Sequence, residues 1–116
     1  MAKLKRNYIQ LVTDVVDDEP VFKTYYTPAF IPFQQVYEAM DIMETAESGE
    51  KSDRELFKDF AVFIAEEIYK KQFTVEELLN GLHAPDAIRV LREQVEFVAQ
   101  GNQSDETKKF LQEKNL

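Results

Sequence analysis

The stretch from Gln72 to Pro85, Gln-Phe-Thr-Val-Glu-Glu-Leu-Leu-Asn-Gly-Leu-His-Ala-Pro, constrains the fold most, because it holds a helix start, a short helix, a stop and the next start. Thr74 is a good N-cap residue, and Glu77 three positions later completes a capping box. Phe73 before the cap and Leu78 after it are spaced for a hydrophobic staple. Gly81 is expected to supply the left-handed residue that ends the helix, and Pro85 suits the first turn of the next one. Val75, Leu78, Leu79 and Leu82 fall on one face. A helix this short is marginal alone in water, so that face must dock between two longer neighbours.

The flanking chain supplies those neighbours. Residues 8–16 are β-branched and aromatic and predict a strand, 17–20 a turn, and 21–27 a second strand pairing back as a hairpin. Two strands alone are marginal, so the hairpin must lie on the helices or gain a partner strand, for instance from another subunit. Residues 28–32 form an extended connector, since proline pushes its predecessor out of the helical region. A first helix spans 33–48 with Phe33, Val36, Tyr37, Met40 and Met43 as its stripe. Ser52 and Glu55 form another capping box ahead of a second helix carrying Leu56, Phe57, Phe60, Ala61, Ile64 and Ile68, with Phe63 and Tyr69 off the centre of that face. The helix from Pro85 to about Gln100 turns Ile88, Leu91, Val95 and Val98 inward, and Val90 and Phe97 widen its apolar face. A last segment opens at Ser104 and has only Phe110, Leu111 and Leu116 as anchors, so it should fray or wait for a partner. Each of the three glycines, at 49, 81 and 101, closes an expected helix.

The architecture expected is therefore α+β and mainly α: an N-terminal β-hairpin followed by a bundle of four to five helices. One domain covers 1–116, with hairpin and connector over 1–32, helical core over 33–101 and polar helix or tail over 102–116. At 116 residues the chain is long enough for a real core. It has no cysteine, hence no disulfide or thiolate site, and no stretch nears the ~18 apolar residues of a membrane span. These features predict a soluble intracellular protein. The net charge of −8, from 14 basic and 22 acidic side chains, argues against nucleic acid as a partner.

Catalytic patterns are missing. Glu66–Glu67 and Glu76–Glu77 are adjacent pairs, and neighbours on a helix point apart. His83, the single histidine, reads as a capping or packing residue in a tight corner. Asp14, Asp17, Asp18 and Glu19 lack the spacing of a calcium loop and read as a solvated turn. Lys3, Lys5 and Arg6 read as a solvated basic tip. No catalytic, cofactor-binding or metal-binding residue is expected, so function must lie in binding.

The whole pattern resembles the tail assembly chaperones of long-tailed bacteriophages, especially those infecting Gram-positive hosts. A basic N-terminus leads a hairpin, and a Pro-Ala-Phe-Ile-Pro connector opens a helix with Val36-Tyr37-Glu38-Ala39-Met40. The Leu56–Ile68 helix runs into the Phe73–Leu82 stretch, and Ala84-Pro85 starts a helix ending near Gly101. The resemblance implies a non-enzymatic protein of the infected host's cytoplasm that coats the tape measure protein before tail polymerisation, helps recruit tail tube subunits, and is absent from the virion. It also implies a longer form made by ribosomal frameshifting; Lys108-Lys109 codons would suit a slippery site. Homo-oligomerisation would fit a repeating coat. The contacts expected with a partner are Phe63, Tyr69, Val90 and Phe97 on the helix side stripe and Phe110 and Leu111 in the tail, the competing reading for each being a core or oligomer contact. The alternative function is a small acidic regulator, of antitoxin or DNA-mimic type, that occupies a basic partner surface through salt-sensitive contacts.

Overall fold

The computed structural model describes residues 4–115. Strands β1 (Tyr8–Val16) and β2 (Glu19–Tyr26) form an antiparallel hairpin, followed by α1 (Gln34–Ser48), α2 (Asp53–Val62) with a π-helical continuation (Phe63–Ile68), α3 (Val75–Gly81), α4 (Ala84–Gln100) and α5 (Asp105–Glu113). The fold is α+β and mainly α.

The hairpin turn is tighter than the sequence suggested. Asp17 and Asp18 sit at φ 51° and 63°, a left-handed pair that suits a two-residue hairpin turn, and strand pairing already includes Glu19 and Pro20 opposite Val16 and Val15. Proline is tolerated there because β2 is an edge strand. A bulge at Thr13, between the Val12–Phe22 and Asp14–Val21 pairs, bends the ladder. The two halves of the hairpin then have different fates. Near the ends, Ile9, Leu11 and Tyr25 point into the core, with Thr27 buried just beyond β2. From Thr13 to Lys23 every residue is exposed, so the outer half projects as an arm.

The core gathers Ile9, Leu11 and Tyr25 with Phe60, Ala61, Phe63, Ile64, Ala65, Ile68, Tyr69, Phe73, Leu78 and the inner face of α4. Its centre is the π segment. Phe63, Ile64, Ala65, Ile68 and Tyr69 are all buried, because this segment touches α2, α3 and α4, while Glu66 stays exposed on its one outward side. The wider turn is closed by Tyr69 N–H donating to Ile64 O at 3.0 Å, and Lys70 and Lys71 in left-handed conformation end the helix without a glycine.

Several local expectations need correction. Gly81 is not left-handed: it is the last helical residue of α3, and the chain leaves through extended Leu82 (φ −95°, ψ 134°). Its role is close approach, since a Cβ there would lie 2.9 Å from the Leu11 Cβ. Gly49 and Gly101 do end their helices at φ 73°. The Thr74–Glu77 capping box is complete, whereas at Ser52 the Glu55 carboxylate accepts from the serine hydroxyl and not from the backbone. On α1 the buried face is Gln35 and Ala39, backed by Ile42, Met43 and Ala46, because the small alanines let this face sit close to its neighbours. Phe33, Tyr37 and Met40 are left outside. Leu79 and Ile88 also point outward, and Phe97 points inward. Helix α5 docks instead of waiting: Phe110 stacks on Tyr8 with ring centroids 4.0 Å apart, and Leu111 is buried. Leu116 and Lys3 lie outside the described residues.

The basic tip is structural. Arg6 donates from Nε and Nη2 to Thr27 O at 2.9 and 2.6 Å, and Lys5 Nζ donates to Gly101 O. Beneath it lies a buried polar knot. Tyr69 donates its hydroxyl to Gln94 Oε1 at 2.5 Å, Gln94 Nε2 donates to Tyr8 O at 2.8 Å, and Gln103 Nε2 donates to Arg6 O at 2.7 Å. This clasp holds the start of β1 against α4 and the approach to α5.

Candidate docking groove

The inner face of the hairpin is spent on the core, so its other face is free to line a surface. Tyr8, Gln10 and Val12 alternate onto that face, and beyond the bulge Val15, Pro20 and Phe22 extend it along the arm. Opposite stand Leu82 at the α3–α4 corner and Val90 on the outer side of α4, with the N-terminal turn of α5 closing one end. The space between is an open groove of about 800 Å³. Gly81 helps form it, because only a residue without a Cβ lets α3 meet β1 so closely.

The groove is apolar along its walls and acidic at its margins. Asp18, Asp86, Glu93 and Glu106 line it, while Arg89 is held by Glu93 at 3.1 Å and Asp86 at 3.7 Å. Burial, and then the nearby Glu106 charge, raise the Tyr8 hydroxyl above its ordinary pKa. Burial drives the Tyr69 hydroxyl higher still, so both phenols are neutral hydrogen-bonding groups at physiological pH. His83, expected to cap or pack, is the exposed N-cap position of α4 with no side-chain capping bond, and lines the groove.

A second apolar surface lies on α1 and the connector before it. Phe30, Phe33, Tyr37 and Met40 are 65%, 69%, 54% and 46% exposed, and the Phe33 and Tyr37 rings meet edge to face at 5.5 Å.

Of the six residues expected to meet a partner, only Val90 lines the groove. Phe110 is half-buried on Tyr8. Phe63, Tyr69, Phe97 and Leu111 are core residues at 7% exposure or less, and a side chain so placed has no surface to offer unless the domain opens. The π turn swings Phe63 and Tyr69 inward, and the close packing of α4 takes Phe97. The surface residues that the sequence reading missed are Val15, Phe22, Phe33, Tyr37 and Met40. Val15-Val16 and Val21-Phe22 carried a signal: consecutive apolar residues in a strand face both ways, and a lone hairpin can bury only one face.

Among the described residues no His, Asp or Glu cluster is placed to hold a metal ion, and no helix is long and apolar enough to cross a membrane. Exposed apolar side chains gathered on an arm, a groove and a helix face, on an otherwise acidic chain, are the make-up of a protein-binding domain. The model of a family described as phage tail chaperone protein matches residues 3–115, and the chain belongs to that family, one that is typically non-enzymatic. Neither a curated protein nor a solved structure matches the chain.

Proposed function

We propose that this tail chaperone binds the tape measure protein, keeps it soluble until the tail is built around it, and helps bring tail tube subunits to it. The observation that carries the reading is the concentration of exposed apolar side chains on the arm, the groove and α1 of a chain with net charge −8. Apolar faces can cover amphipathic client helices, and the surplus charge keeps the coated client dispersed. The protein acts in the cytoplasm of the infected bacterium and leaves before the virion is finished. A longer, frameshifted form carries the contact with the tube protein, and neighbouring copies associate along the client.

Co-expression with the tape measure protein, followed by affinity capture, tests this. A client that becomes soluble and co-elutes through high salt supports the reading. A client that stays insoluble and uncaptured, with the short and longer forms both supplied, overturns it and leaves the acidic regulator as the better account.

A further inference from the structure

We infer that the groove between the projecting arm and α4 holds about two turns of a client helix whose apolar stripe is flanked by lysine or arginine. This rests on the tape measure reading for the client's identity and adds the place and chemistry of the contact. The volume fits: a helix with side chains is ~10 Å across and rises ~5.4 Å per turn, so two turns fill on the order of 800 Å³. Its walls carry apolar side chains, Val12, Val15 and Phe22 on one side and Leu82 and Val90 on the other, which suit the apolar stripe of a helix.

Charge selects among helices. Four carboxylates against the single Arg89 guanidinium leave the described lining with three negative charges. Arg89 is itself engaged by Asp86 and Glu93, so it offers little to an acidic ligand. A second copy of this chain suits the groove poorly, because the exposed α1 surface carries Glu38, Asp41 and Glu44 beside its aromatic residues. A basic amphipathic helix satisfies both the walls and the rim.

The test uses two labelled 18-residue helical peptides with one leucine stripe, flanked by lysines in one and by glutamates in the other, read by fluorescence anisotropy against the full chain. The lysine peptide is expected to bind about tenfold tighter or more. Neutralising the rim with Asp86→Asn and Glu93→Gln should weaken it about fivefold, and Phe22→Glu should weaken it about tenfold. Lys58→Ala, at an exposed position of α2 outside the arm, the groove and α1, should leave binding unchanged. If Phe22→Glu perturbs the circular dichroism spectrum, Val15→Glu takes its place. Equal binding of the two peptides, binding of neither, or binding that the groove variants leave unchanged overturns the assignment. Capture of the tape measure protein by the same variants separates the two readings. Capture by wild type and Phe22→Glu alike removes the groove and keeps the chaperone. Tight lysine-peptide binding without client capture keeps the groove and removes the tape measure.

Discussion

In most helices Gly→Ala is stabilising, because alanine gains up to ~1 kcal/mol in helix propensity over glycine. Gly81→Ala should do the opposite. The added methyl would lie 2.9 Å from the Leu11 Cβ and 3.4 Å from the Val12 carbonyl oxygen. Neither neighbour is the end of a flexible side chain, so α3 or β1 must move, and overpacking of this kind costs ~1–3 kcal/mol. The propensity gain is smaller than usual at the last helical residue, which leaves a net loss of about 1–2 kcal/mol and a melting temperature lower by roughly 5 °C. Thermal unfolding followed by circular dichroism measures it, and hydrogen exchange should show faster exchange at Leu11 and Val12. Gly49→Ala is the contrast: nothing lies within 4 Å, so its cost is the left-handed backbone alone, ~1 kcal/mol, with no change in the hairpin. A Gly81→Ala protein that melts at or above the wild-type temperature would refute the close-approach argument.

Tyr69→Phe removes the donor to Gln94 Oε1, whose other partner, the Asn7 amide, is 3.4 Å away, so unfolding in urea should show a loss of about 1–3 kcal/mol. The same residue sets an alkaline limit. Its pKa is higher folded than unfolded, so the folded chain keeps a proton that the unfolded chain releases. That term is silent below about pH 10, and stability falls as pH rises beyond it. Urea midpoints taken between neutral and strongly alkaline pH should show a fall that is smaller in Tyr69→Phe. Phe110→Ala deletes the stack on Tyr8 and should cost about 1–2 kcal/mol while freeing α5, seen as faster amide exchange over residues 105–113. Phe22→Glu, on an exposed arm position, should move stability by no more than ~0.5 kcal/mol in the same urea titration, so any effect it has on client capture is a surface effect.

What could be read from the sequence is what depends on residues close together in it. The Thr74–Glu77 box, the left-handed stops at Gly49 and Gly101 and the Ser104 cap are local chemistry, and they fall where the spacing puts them. Gly81 looked the same locally, but its role depends on which strand passes it, and that is set by tertiary packing. Helix α1 has apolar residues on two sides, and spacing alone does not say that Ala39 and Ala46 mark the inner one. The π turn is a change of hydrogen-bond register that leaves no local mark, so Phe63 and Tyr69 looked lateral and proved central. Gln94 did carry a sign that went unread: it sits between Leu91 and Val95 on the inward face of α4, where a polar side chain needs buried partners and finds them in Tyr69 and Tyr8.

The clasp at the start of β1 also sets an order of events during synthesis. Asn7 bonds to Gln94, 87 residues downstream, and the Arg6 carbonyl to Gln103, 97 residues downstream. At ~5–20 residues per second, a ribosome needs roughly 5–20 s to cover that distance, whereas a hairpin forms in ~1–10 μs. The hairpin is therefore made long before its fastening exists, with Ile9, Leu11 and Tyr25 bare on the nascent chain. Helix α3, which meets Leu11 through Gly81, is the earlier cover, and the polar knot locks the first strand only after α4 has left the exit tunnel. Stalling synthesis after the hairpin has left the tunnel and before α3 has should thus lengthen the interval in which the nascent hairpin is open to strand-on-strand aggregation, and stalling it once α3 is out should not.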